Sequence, residues 1–140
     1  MSQPISVRFP DELADRVRHH IATTAEATSG LVVRLVDEGL RMAQHPGVVF
    51  RDGPAGRRAG LTAGPDLWEI MVVLRDFAQA GSSTATRRAA QSLALTERQI
   101  RTAEGYYASF TDEIDESITL NESAATHAAR AAATRDRLYG

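Results

Sequence analysis

The four histidines, His19, His20, His45 and His127, are the side chains best suited by type to metal or proton chemistry, and their spacing supports neither. No two stand four residues apart on one helical face, where they would share a metal, and none adjoins a nucleophile motif. Asp112, Glu113, Asp115 and Glu116 crowd together in sequence, but neighbouring residues on a helix point in different directions, so they read as a solvated face. Cysteine is absent, which removes thiolate nucleophiles, disulfides and Cys-ligated zinc. Gly53-Pro54-Ala55-Gly56 is not followed by Gly-Lys-Ser/Thr, so its glycines read as turn formers and not as a phosphate cradle. No acid/base pair, nucleophile or cofactor fingerprint emerges. The expectation is a protein that is not an enzyme, with no catalytic residue, no metal ligand and no cofactor.

What remains is arginine. The 140 residues include 16 basic ones, every one of them Arg, whose planar guanidinium suits bidentate contacts to guanine or phosphate. The net charge of −2 hides an uneven distribution. Residues 1–45 carry 5 Arg against 6 acids, residues 46–110 carry 8 against 6, and residues 111–140 carry 3 against 6. Arg8 lies in Ile5-Ser6-Val7-Arg8-Phe9, which alternates apolar and polar with the period of a half-buried strand. Ser6 and Arg8 then share the polar face.

The elements around that strand follow from local chemistry. Pro10 ends it, and Asp11-Glu12 places acids in the first turn of a helix, where the macrodipole favours them. Leu13, Val17 and Ile21 form the apolar stripe of this helix, which breaks between Thr23 and Thr28. A second helix is expected to start with Ser29 as N-cap, with Val32, Leu35, Val36, Leu40 and Ala43 as its stripe. His45-Pro46-Gly47 closes the unit. One short strand and two helices bury too little apolar surface to stand alone. The simplest partner is the same strand of a second chain, giving a two-stranded antiparallel ribbon over four helices. Such a ribbon fits the major groove of B-DNA.

Residues 4–43 resemble the ribbon-helix-helix family of repressors and antitoxins, in the order strand, Phe9-Pro10-Asp11-Glu12-Leu13, helix, short turn, helix. The resemblance implies an intertwined homodimer in which Ser6 and Arg8 read bases. It further implies that Thr28-Ser29-Gly30 anchor a phosphate through free backbone N–H groups. Pro4 departs from the family, which often has a third polar reader there. The footprint is therefore two readers per strand, or Gln3 substitutes.

Between Val48 and Pro65, two short runs around a Gly-Pro turn predict a small β-hairpin. Asp66 caps an apolar helix starting Leu67-Trp68-Glu69-Ile70. Thr84 to Leu93 is a short helix rich in Arg and Ala, and Thr96-Glu97-Arg98-Gln99 opens another through Tyr107, with Ile100, Ala103 and Tyr107 facing inward. Helix, tight turn, helix, with Arg98, Gln99 and Arg101 exposed at the start of the second, is helix-turn-helix geometry and a second candidate contact for DNA or protein. His45 to Phe50, Trp68-Glu69-Ile70, Leu95 to Ile100, Tyr106-Tyr107 and Asp112 to Asp115 together resemble a small family of uncharacterised helix-turn-helix domains. Such domains accompany VapB-like antitoxins encoded beside a toxin with a PIN-type nuclease fold.

Residues 111–139 read as one long helix with Ile114, Ile118, Ala125, Ala128 and Ala132 on one stripe. The resemblance implies that an arginine of this tail, among Arg130, Arg135 and Arg137, enters the carboxylate-rich site of the nuclease and neutralises it.

The expected fold is mainly α. It comprises a ribbon-helix-helix unit over 1–45 for DNA binding and dimerisation, a β-hairpin plus helix-turn-helix unit over 46–110, and a C-terminal helix over 111–140 as a toxin-binding segment. No run approaches the roughly 18 apolar residues of a membrane span. Met1-Ser2-Gln3-Pro4 brings no basic start of a signal peptide, so a cytoplasmic setting is expected. The functional expectation is a DNA-binding antitoxin that binds operator DNA as a homodimer, represses its own operon and neutralises a PIN-type nuclease toxin, with higher-order assembly on the operator left open by the sequence. The rivals are a stand-alone ribbon-helix-helix repressor and a structural adaptor whose ribbon is only a dimer seam.

Overall fold

A computed structural model describes residues 2–54 and 56–140; Met1 and Ala55, the latter in the expected hairpin turn, lie outside the described residues. The chain is mainly helical, with a two-stranded antiparallel sheet and a long C-terminal helix. It divides into two compact units, Met1–Arg41 and Met42–Gly140. Among the described residues no helix is long and apolar enough to cross a membrane.

In the first unit, Ser2 to Pro10 forms neither helix nor strand. This differs from the strand expected over Ile5–Phe9. The physical reason is that a strand needs a hydrogen-bonded neighbour, and among the described residues none pairs with this segment. Helix α1, Asp11–Thr24, begins where Pro10 (φ −55°) sets the entry angle, with Asp11 and Glu12 in the first turn. It ends at Ala25, which adopts a left-handed conformation (φ 55°) and donates its N–H to Ile21 O at 2.9 Å. Helix α2, Thr28–Gln44, starts one residue earlier than the sequence suggests, so Ser29 stands inside the first turn and is not its cap. Arg34 grips Glu26 in the α1–α2 connection through two hydrogen bonds of 3.1 and 3.0 Å. It also lies 3.5 Å from Glu38, one turn further along α2. Leu31 is the buried apolar residue of α2, at 1 % exposure. Leu35, Val36 and Leu40 of the expected stripe are exposed.

The second unit opens with the expected hairpin. Strand β1, Val48–Gly53, pairs with β2, Gly56–Leu61, in a register running from Val48 opposite Leu61 to Gly53 opposite Gly56. Arg51 and Arg58 face each other across it, and both engage Asp66 at the head of the next helix. Arg51 also donates to Leu61 O at 3.1 Å and Gly64 O at 3.0 Å, tying down the loop after β2. Both guanidiniums cross glycine: a Cβ on Gly60 would lie 1.8 Å from Arg51 Nη2, and one on Gly53 would lie 1.3 Å from Arg58 Nη1.

Helix α3 spans Leu67–Gln79, α4 spans Ala85–Leu93, α5 spans Glu97–Ser109 and α6 spans Thr111–Tyr139. Their inward faces meet the hairpin in one core, built on Val48, Leu61, Leu67, Ile70, Ile100 and Tyr106 with Ala89, Ala90 and Ala103 at the close approaches. Ile114 and Ile118 bring the first turns of α6 into the same core. Tyr106, not Tyr107, is the fully buried tyrosine of α5, a one-residue phase correction to the expected inward face. The Tyr106 ring contacts Phe110 (4.7 Å between centroids, planes tilted by 36°) and His45 (5.3 Å, edge-on), and the edge-on pair is among the favoured aromatic geometries.

Candidate nucleic-acid interface

The sequence puts base readers before Pro10, and Gln3, Ser6 and Arg8 are all exposed there. Arg8 has no carboxylate partner among the described residues. The apolar residues alternating with them are exposed too, Ile5 at 84 % and Val7 at 71 %. Phe9 is half-buried and lines an open apolar cleft of about 220 Å³ together with Leu13, Val17, Leu31, Leu35 and Val36. Water against so much hydrocarbon is unfavourable by about 25 cal/mol per Å². Helices α1 and α2 thus hold a wedge-shaped gap that the single chain leaves open.

Thr28, Ser29 and Gly30 form the exposed first turn of α2. Leu31 N–H is the first to find an acceptor, Ala27 O at 2.9 Å. The three N–H groups before it have none among the described residues, as the opening turn of a helix requires, and they carry the positive end of its dipole. An anion is the natural acceptor for such a turn.

At the second candidate contact, the residues separate. Thr96 accepts from Gln99 N–H at 3.1 Å, and Thr96 N–H donates to Gln99 Oε1 at 2.8 Å. This reciprocal pair is a capping box, so Gln99 is half-buried and engaged, a correction to its expected exposure beside Arg98 and Arg101. Arg98 and Arg101 are exposed without a carboxylate partner among the described residues. Arg87 on α4 is in the same condition; composition marks α4 as Arg-rich, but no spacing rule singles it out.

In the tail, Arg130, Arg135 and Arg137 are exposed along α6. Glu122 ties α6 to Arg75 of α3, at 3.2 Å. From Thr119 to Gly140 every residue but the half-buried Ala132 is exposed. Nearer the core, Tyr106 Oη donates to Glu113 at 2.7 Å and Tyr107 Oη to Asp115 at 2.8 Å, bracing α5 against α6 across the turn at Phe110. The hydrogen bond to the Asp115 carboxylate, with some desolvation and the nearby charge, holds the Tyr107 hydroxyl above its ordinary pKa. Among the described residues no three His, Asp or Glu side chains stand together as metal ligands would. No protein-family model, curated protein or solved structure matches the chain.

Proposed function

We propose that the protein is a DNA-binding antitoxin built on a ribbon-helix-helix dimer, which represses its own operon and uses its C-terminal half to hold a PIN-type nuclease toxin. In this reading two Ile5–Phe9 segments pair antiparallel, and Ser6 and Arg8, with Gln3, face the major groove of operator DNA. Thr28, Ser29 and Gly30 receive a backbone phosphate.

One observation carries the reading: the exposed large apolar side chains concentrate in the first unit. Ile5, Val7, Leu13, Val33, Leu35, Val36 and Leu40 belong to it, whereas Met42, Leu120, Leu138 and Tyr139 are the exposed ones of the longer second unit. Such a concentration of exposed apolar side chains is what an interface offers before its partner arrives. A second copy is the occupant that fits, because the same chain offers both an unpaired segment of alternating apolar residues and the cleft needing such residues. The exposed, arginine-bearing end of α6 supports a protein partner at the other end of the chain.

Co-purification with the product of the adjacent gene, followed by footprinting of the complex on upstream DNA, tests the whole reading. Arg8→Ala is expected to weaken specific binding by about 1–3 kcal/mol for each bidentate base pairing it removes, while the dimer stays folded. Wild-type affinity in that variant excludes the ribbon as reader. DNA binding with no co-purifying nuclease favours the stand-alone repressor.

A further inference from the structure

Helix α6 runs well past the body that anchors it. Ile114 and Ile118 are its buried residues, and Glu122 reaches Arg75 of α3 at 3.2 Å. Beyond that ion pair the helix continues for about five more turns to Tyr139 and buries no further residue. In water, most of the stability of such a helix comes from packing one of its faces.

Ile118 and Glu122 mark the side of α6 that meets the rest of the second unit. At 100° per residue, Leu120 and Leu138 lie on the opposite side, 54 % and 72 % exposed. Five helical turns separate them, so both fall on one line of the helix. Ala124, His127, Ala131 and Thr134 stand between them, all exposed, in steps of four, three, four, three and four. That spacing is the seam of a coiled coil. The seam has no acid and no arginine; Arg130 and Arg137 lie about a quarter-turn to one side of it.

Two properties say what covers this seam. The first is symmetry. A second α6 running the opposite way sets Leu138 against Leu120, Thr134 against Ala124 and Ala131 against His127. The leucines meet at both ends, smaller residues face each other between them, and each helix offers the other the same surface, as a two-fold contact requires. The second is charge. Residues 111–122 carry Asp112, Glu113, Asp115, Glu116 and Glu122 and no arginine, whereas residues 123–140 carry Arg130, Arg135 and Arg137 against Asp136. Antiparallel pairing brings the basic end of each helix towards the acidic end of the other and sets the two dipoles head to tail. Parallel pairing stacks like on like.

We propose that two copies of the chain associate by antiparallel pairing of α6 along the Leu120–Leu138 seam, a contact separate from the amino-terminal segments. It does not rest on the antitoxin reading, and it leaves Arg130 and Arg137 off the seam.

The test uses the full chain with Ala124→Cys and Thr134→Cys together, since the chain has no cysteine of its own. Two thiols at these positions of one helix lie about 15 Å apart along its axis, beyond disulfide reach, so any bond has to join two chains. After mild oxidation, trypsin cuts at Arg130, between the two positions, and mass spectrometry identifies the linked peptides. The expected product joins position 124 of one chain to position 134 of the other. Links of 124 to 124 and 134 to 134 show a parallel contact and overturn the proposal. So does the absence of any link in a chain that keeps its helical circular dichroism. Thiols that stay unlinked, yet become protected from alkylation when the neighbouring gene product is co-purified, show that the face docks that protein, which likewise overturns it. Adding Leu120→Asp and Leu138→Asp, at exposed positions outside the core, is expected to slow formation of the 124–134 link by about tenfold or more, the size of burying one leucine. An unchanged rate overturns the seam. The cross-link is read without DNA, so failure of the chain to bind DNA removes the antitoxin reading and leaves this result standing.

Discussion

Arg34 and Arg51 are gripped by carboxylates or carbonyls from more than one segment, whereas Arg8, Arg98 and Arg101 meet no carboxylate among the described residues. The first pair stitches loops to helices; the others are free for an outside anion. This division is only half legible in sequence. Local alternation singles out Arg8, but nothing periodic links Arg51 to Asp66, fifteen residues away, because long-range ion pairs leave no local pattern. Leu31 escapes the pattern for a different reason: a stripe counted from Val32 begins one residue too late, although Leu31 lies one turn before Leu35 and lines the same cleft. Leu31→Ala tests that correction. At 1 % exposure the truncation is expected to cost about 2–5 kcal/mol, read as a lower midpoint in urea unfolding. A change below about 0.5 kcal/mol would mean that the site is not a packed one.

Elements with strong local signals form where the sequence suggests. The hairpin follows from its Gly-Pro turn, α1 from Pro10 and two acids, and α6 from a run of good helix formers. Gln99 shows how a legible signal can be misassigned. Thr-x-x-Gln is a capping pattern, and the cap, not the solvent, claims the glutamine. The α5–α6 corner rests on tyrosine hydroxyls donating to Glu113 and Asp115, and this gives it an alkaline sensitivity. The Tyr107 pKa is raised in the folded chain above its ordinary 10.0, so the folded state disfavours the phenolate. Its contribution is fully present below pH 10 and declines as pH rises through the elevated folded value. Wild type is therefore expected to lose stability relative to Tyr107→Phe above pH 10, followed by thermal melts across that range. Parallel pH profiles for the two proteins would show that this hydroxyl does not titrate against Asp115.

The two units differ in what they need to be complete. The second closes its own core from Val48 to Ile118, while the first leaves Ile5, Val7, Leu35, Val36 and Leu40 exposed. Beyond Leu120, α6 reaches back through the exposed Glu122–Arg75 pair and adds nothing to the buried cluster, so removing residues 121–140 spares the core. That truncated chain is expected to keep its fold and its DNA binding while losing co-purification with the nuclease. Retention and silencing of the nuclease by the shortened chain would eliminate the tail as its clamp.

Pairing of two amino-terminal segments is the claim from which the dimer, the groove-facing residues and the filled cleft all descend. Because the chain has no cysteine, Val7→Cys creates a single thiol at the centre of the Ile5–Phe9 segment. In an antiparallel ribbon symmetric about that residue, the two Cα atoms stand about 4.5–5.5 Å apart, within disulfide reach. Mild oxidation followed by non-reducing electrophoresis should then give a covalent dimer at twice the 15.2 kDa chain mass. A Val7→Cys protein that folds normally yet stays at the mass of one chain, even at high concentration, would contradict the account.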